Sequence, residues 1–218
     1  GFSGDGGPAT SAQLSYQGGI ALDSDGNLYI ADTNNYRIRK IDTSGVITTI
    51  AGTGQDGYSG DGGPAANASI GSVEKLMVVD GNVYFADNSF DVIRKIDVDG
   101  NISSVTKGIV LDSQKKKIED TPLYIPRNMD YDSEGNLYVA EQATHAIRKV
   151  DLDGNVTVVA GNGSSGYSGD SGLAINAQLS APRSVAVDGA GNLYISDYNN
   201  YRIRKVDTNG IITTIAGT

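Results

Sequence analysis

Cysteine and tryptophan are absent from the 218 residues, and histidine occurs once, as His145. Without cysteine there are no disulfides, thiolate metal sites or cysteine nucleophiles, and one histidine cannot build a multi-histidine metal centre. No apolar run approaches the roughly 20 residues of a membrane-spanning helix, and no secretory leader is visible. Basic residues are outnumbered, 17 Lys and Arg against 26 Asp and Glu, for a net charge of −9. That balance disfavours a phosphate backbone, so no nucleic-acid partner and no membrane insertion are expected. The Gly-x-Ser-x-Gly elbow and the phosphate loop are missing too, and no cofactor is expected.

What the chain has in excess is glycine, 29 residues, and a repeat. Gly-Asn-Leu-Tyr-Ile-Ala-Asp (26–32) followed by Arg-Ile-Arg-Lys-Ile-Asp (37–42) recurs with variations. The residue after the Asn falls at 28, 83, 137 and 193, so the copies are 55, 54 and 56 residues apart. A period of this size marks a repeat array. Each period holds four short runs rich in Val, Ile, Tyr and Thr, bounded by Gly, Asn and Asp, as in 184–188, 192–197, 201–207 and 211–217. These read as strands joined by tight hairpins. A four-stranded unit too small to cover both of its faces must pack against its neighbours around an axis. The expected fold is all-β, a β-propeller of four four-stranded antiparallel blades over 17–53, 74–107, 127–161 and 183–218, within one domain. The first two runs of each blade, apolar at nearly every position, are expected to be covered on both sides.

The Leu-Tyr-Ile-Ala-Asp and Arg-Ile-Arg-Lys pair, with the linker Gly-Tyr-Ser-Gly-Asp-Gly-Gly-Pro-Ala (57–65) and its echoes at 1–10 and 166–172, resembles NHL repeats of the bacterial type. The resemblance covers nearly the whole chain. It implies a platform for protein, RNA or small-molecule ligands and, in a few relatives, a lyase with a central site. It also favours a secreted, cell-surface or periplasmic setting. The chain ends inside the linker motif with which it begins. Closure of four blades, homo-oligomer formation and continuation in a longer array all fit.

The repeated positions read as architecture. Asp32, Asp87, Glu141 and Asp197 each precede an arginine by seven residues, at Arg39, Arg94, Arg148 and Arg204. An acid and arginine in every unit is an ion pair of the scaffold before it is four catalytic dyads. Asp23, Ser24, Asp25 and the Ser-Gly-Asp-Gly-Gly linkers with Asp5, Asp61 and Asp170 read as turn chemistry rather than calcium ligands, so no metal is expected.

Function is sought where the repeats disagree. The loop between the second and third strands carries Tyr36, Asp91, His145 and Tyr201 at equivalent places, with Phe90 beside Asp91. The innermost strand begins with Gly18, Lys75, Arg127 and Arg183. Three cations there would suit an anionic ligand. The third linker, 107–126 with Lys115, Lys116 and Lys117, departs most from its siblings. The expected function is noncatalytic binding of a protein, peptide or glycan. The alternatives are a lyase-type enzyme using His145 with Tyr36, Tyr201 and Arg183, and a structural spacer in a larger surface protein.

Overall fold

The computed structural model describes residues 1–105 and 126–218. They contain sixteen strands, five 3₁₀ turns and no α-helix. The chain divides into two compact units, Gly1–Leu111 and Asp112–Thr218. In the first unit, β1 (Gln17–Leu22), β2 (Leu28–Asp32), β3 (Arg37–Ile41) and β4 (Ile47–Ala51) form one sheet in that order. A second is formed by β5 (Val73–Val79), β6 (Asn82–Asp87), β7 (Val92–Ile96) and β8 (Ile102–Ser104). In the second unit β9 (Pro126–Tyr131), β10 (Leu137–Glu141), β11 (Ala146–Val150) and β12 (Val156–Ala160) make the third sheet. The fourth comprises β13 (Ser184–Val187), β14 (Leu193–Asp197), β15 (Arg202–Val206) and β16 (Ile212–Ala216). Every paired neighbour within a sheet is antiparallel. First strands lie side by side, β1 with β5 and β9 with β13. The third linker, 107–126, lies outside the described residues except for Pro126 at the start of β9.

In the first, third and fourth blades the hairpin between the first two strands forms because one aspartate organises it. Asp23 Oδ1 accepts the N–H groups of Asp25 and Asn27 at 3.0 and 2.8 Å, while Oδ2 accepts the Asn27 amide and the Tyr29 hydroxyl. Asp132 and Asp188 repeat the arrangement, including the bond from Tyr138 or Tyr194. The Asn192 side chain, helped by its backbone N–H, holds the Asp188 carboxyl down to about 2. These oxygens are used up by the turn itself.

Within each unit the two blades are joined by a linker that works as a plug. In the first unit the Ala65 N–H donates to Gly100 O and the Gly62 N–H to Ile102 O, fastening the linker along the outer edge of the blade it precedes. Its other side enters the preceding blade. Gly52 and Thr53 donate their N–H groups to Ala65 O and Ala68 O, at 3.1 and 3.0 Å. Ala65, Ala68, Ile70 and Leu76 join Ile38 and Ala51 in one core, all six at most 1% exposed. The second unit repeats this with Ala174, Ala177, Leu179 and Val185 on Ile147 and Ala160. Burying each Leu, Ile or Val contributes roughly 1.5–3 kcal/mol, so such joints dominate the stability of a unit.

In β1 Ile20 is 62% exposed, where the equivalent Leu76 and Val185, each packed against the preceding blade of its own unit, are 1% and 2%. The far side of β1 packs closely. A Cβ on Gly18 would lie 2.5 Å from Val73 O, so only glycine lets β1 approach β5 this tightly.

Candidate functional site

Three of the repeated arginines are fully buried, and two of them are paired with two acids each. Arg39, Arg94 and Arg204 have fully buried side chains. Arg39 and Arg204 lie 3.5 and 3.4 Å from Asp32 and Asp197, which are also fully buried. Their closer partner is the linker aspartate, which thus does more than shape its turn. Arg39 meets Asp5 at 2.6 Å, Arg94 meets Asp61 at 2.6 Å and Arg204 meets Asp170 at 2.8 Å. An aromatic ring from the same linker, Phe2, Tyr58 or Tyr167, lies 4.8–4.9 Å from each guanidinium. Burial raises the pKa of Asp61, but hydrogen bonds from Ser104 and Arg94 outweigh it and the net shift is downward. In the third blade, whose linker lacks the Ser-Gly-Asp motif, the acid is Glu141. Its extra methylene brings Oε2 to 2.9 Å from Arg148 Nε. A trace of this was in the sequence, since the blade whose linker lacks the Ser-Gly-Asp motif is the blade with Glu in place of Asp.

With Asp5, Asp61 and Asp170 committed to arginines, no group of three metal-binding side chains occurs among the described residues. Treatment with a chelator is expected to leave the melting temperature within about one degree, because nothing that binds only the fold is removed. A large drop restored by calcium would refute the pairing as the linkers' purpose.

Asp87 is the exception among the buried acids. Asp32 and Asp197 each accept a bond from the amide of Asn35 or Asn200, three residues on. In the second blade that place is Phe90. Burial therefore dominates, only partly offset by the Gly71 N–H and Arg94, and pushes the Asp87 carboxyl up to about 6. A folded-state pKa above the unfolded value of about 3.9 means that ionisation costs stability. The penalty is absent below about pH 4 and complete above about pH 6. At 1.36 kcal/mol per pKa unit it is on the order of 3 kcal/mol. Asp87→Asn is thus expected to be more stable than the parent at pH 7.5 and no more stable at pH 4, as read by urea denaturation at both. A gap independent of pH would contradict this.

The four variable loop positions share one backbone. Tyr36, Asp91, His145 and Tyr201 have φ of 50°, 52°, 53° and 55°, the left-handed conformation that non-glycine residues seldom adopt. In three of the blades a glycine ends the fourth strand against the carbonyl of this residue: a Cβ on Gly52, Gly161 or Gly217 would lie 2.1–2.2 Å from the carbonyl oxygen of Tyr36, His145 or Tyr201. The side chains then differ. His145 Nδ1 accepts the Ala181 N–H at 3.0 Å, which ties it to the chain entering the next blade and leaves Nε2 to carry the proton. Tyr201 is 83% exposed. Phe90 packs its ring 5.7 Å from Tyr58, and Asp91 is half-buried.

Strand register corrects the alignment of the cations. Lys75 pairs with Ala86 as Asn128 pairs with Ala140 and Ser184 with Ser196. The place matching Arg127 and Arg183 is therefore Glu74, and Lys75 lies one residue on. Successive strand residues face opposite ways. The bulge that carries this place is common to β5 and β9; it is the shorter Asp80-Gly81-Asn82 turn of the second blade that hid the slip from a reading by spacing alone. In the second unit Arg127 and Arg183 do occupy equivalent places, at the start of β9 and just before β13. Each engages the loop residue of its own blade. Arg127 Nε donates to Gln142 Oε1 at 2.6 Å, and the Arg183 guanidinium lies 3.5 Å from the centre of the Tyr198 ring. That stacking is worth about 0.5–1 kcal/mol at an exposed site and holds an otherwise flexible cation in place.

Four-stranded antiparallel blades joined face to face by linkers define a β-propeller. The model of the teneurin NHL domain matches residues 2–58 and 132–218. Teneurin-1 of Mus musculus is 30% identical over 233 residues and Teneurin-3 of Danio rerio 31% over 235, each covering 94% of this chain. The chain spans 8% of the length of these relatives. Among solved structures, a streptogramin B lyase superposes with a TM-score of 0.65 at 17% identity over 95% of this chain and 56% of its own. An auxiliary nutrient binding protein from Bacteroides ovatus gives 0.65 at 15% over 94% and 48%. At such identities these two speak for the fold alone. The chain belongs to the teneurin NHL domain family, and its blades are NHL repeats.

Proposed function

We propose that this propeller is a noncatalytic binding module of a larger secreted or surface protein, and that it takes an acidic protein or peptide segment, or a carboxylate-bearing glycan, at the loops between second and third strands. The observation that carries the reading is a constant backbone bearing variable side chains: four residues with φ near 50° present Tyr, Asp, His and Tyr. Scaffolds that fix loops and vary their tips are built for recognition. Arg127 and Arg183, held by Gln142 and Tyr198, supply fixed positive charge on a chain of net charge −9. Phe90, Tyr36 and Asp91 would form the corresponding surface of the first unit. His145, its Nδ1 engaged by the Ala181 N–H, positions the loop.

Titration with Glu-rich peptides and uronate oligosaccharides tests this. The Arg127→Ala, Arg183→Ala double variant is expected to weaken binding about fivefold to tenfold, from two solvent-accessible charges, Arg127 half-buried and Arg183 exposed, each worth up to about 1 kcal/mol. The loss shrinks as salt rises, since the screening length is about 10 Å at 0.1 M. Lys75→Ala, one register position away, leaves affinity unchanged. Equal binding by parent and double variant would place the ligand elsewhere.

A further inference from the structure

The chain enters the fourth blade through a short segment that this blade itself fixes at both ends. The Ser180 N–H donates to Asp197 Oδ1 at 2.7 Å, and the Arg183 N–H donates to Ser196 O at 3.1 Å. Between them lie Ala181 and Pro182, and proline has no N–H to give. Proline also pushes the residue before it toward extended backbone. Ala181 instead has a φ of 50°, a conformation that a residue with a Cβ keeps only where its surroundings hold it. The hold comes from the third blade. The N–H of Ala181, a residue only 5% exposed, donates to His145 Nδ1 at 3.0 Å.

The second blade meets the same need without a histidine. There the Gly71 N–H donates to Asp87 as the Ser180 N–H does to Asp197, and the next N–H, of Ser72, donates to Ser89 Oγ of its own blade at 2.9 Å. A hydroxyl oxygen accepts at any pH. An imidazole nitrogen accepts only while it carries no proton, and imidazoles as a class titrate between about pH 5 and 8.

The charged groups on the elements around His145 are engaged elsewhere. Arg127 of β9 donates to Gln142, and Glu141 of β10 takes Arg148 of β11 and the Thr144 hydroxyl. Arg183 lies on the Tyr198 ring, and Asp197 of β14 accepts the Ser180 N–H and the Asn200 amide beside Arg204. His145 itself forms no ion pair among the described residues, so a second proton on its ring gains no carboxylate and displaces the Ala181 N–H.

We propose that His145 and Ala181 form a proton-operated latch: in acid the imidazole takes a proton from solvent at Nδ1, the Ala181 N–H loses its acceptor, and the segment of Ala181 and Pro182 relaxes, loosening the placement of Arg183. The latch needs no ligand. Only its consequence, an acidic ligand held less firmly in acid, rests on the reading of Arg183 as a ligand contact.

Hydrogen exchange of the Ala181 amide, followed by NMR at about pH 7.5 and about pH 5 and corrected for the intrinsic pH dependence of exchange, tests the latch with no ligand present. His145 is the one histidine of the chain, so a single imidazole titration reports when it takes up its proton. Protection of Ala181 in the parent is expected to fall roughly fivefold to tenfold in acid, as for the loss of one hydrogen bond, and in step with that titration. His145→Asn offers an amide oxygen as acceptor, tolerates the left-handed backbone and takes up no proton, so Ala181 is expected to be equally protected at both pH values. His145→Ala removes the acceptor and is expected to leave Ala181 poorly protected at both. Parent protection that does not change with pH overturns the proposal, as does an equal fall in His145→Asn. So does full protection of Ala181 in His145→Ala.

Discussion

Replacing Arg204 with alanine is expected to lower the unfolding free energy by roughly 3–5 kcal/mol, the cost of stranding a buried charge by removing its partner. Arg204 is fully buried between Asp197, 0% exposed, and Asp170 of the linker, and it also donates to Ser168 O at 3.0 Å. Its removal leaves the Asp197 carboxylate without a cation and releases the linker that fixes the fourth blade to the third. Surface pairs contribute about 0–1 kcal/mol, so the size of the loss separates a buried structural pair from an exposed one. Asp197→Ala in the same background is expected to recover part of the loss, since it removes the uncompensated charge. Chemical denaturation of the single and double variants measures this coupling. Additive losses would mean that the two side chains do not act as a pair.

Gly161→Ala is expected to be nearly as damaging, at about 3 kcal/mol or more. Two costs combine. The φ of +90° is unfavourable for any residue with a Cβ, and that Cβ would lie 2.2 Å from the His145 carbonyl oxygen, a backbone atom that can yield only by distorting the loop before β11. Displacing it also pulls the Gly161 N–H from Ala174 O, breaking the joint between third and fourth blades. Gly163 separates the two costs. Its φ is +85°, and a Cβ there would meet nothing within 4 Å, so Gly163→Ala carries only the backbone cost of about 1 kcal/mol. Thermal melts of the two variants are expected to differ by several degrees for a unit of this size. Equal losses would show that the close approach to His145 is unimportant.

The period, the four strands of each blade and the hairpin aspartates were legible because short-range chemistry encodes them. Asp23, Asp132 and Asp188 act within two to six residues of themselves, and alternating Val, Ile and Tyr runs report strands directly. The acid and arginine pairs were half legible. Asp32 with Arg39 falls in one repeat, but Asp5 reaches Arg39 across 34 residues, and nothing local in Ser-Gly-Asp-Gly-Gly announces a partner that distant. The left-handed backbone at Tyr36, Asp91, His145 and Tyr201 was hidden because glycine, its usual marker, is absent there. The cue lay in Gly52, Gly161 and Gly217, whose lack of a side chain makes room for those carbonyls. The cation cluster was misaligned by one residue because the first turn of the second blade, Asp80-Gly81-Asn82, is shorter than its siblings, and only the strand pairing shows which side of the turn absorbs the difference.

The division between repeated residues that hold the blades and unrepeated ones that meet a ligand is tested most directly by measuring melting temperature and acidic-peptide affinity together, for Arg204→Ala and Arg183→Ala side by side. Arg204 is buried against two carboxylates, whereas Arg183 is exposed and stacked on Tyr198. Arg204→Ala is expected to melt many degrees lower while its folded fraction binds with unchanged affinity, and Arg183→Ala to melt as the parent does while binding several-fold more weakly. An Arg204→Ala protein of parental stability that no longer binds, or an Arg183→Ala protein that unfolds early and binds normally, would contradict that division.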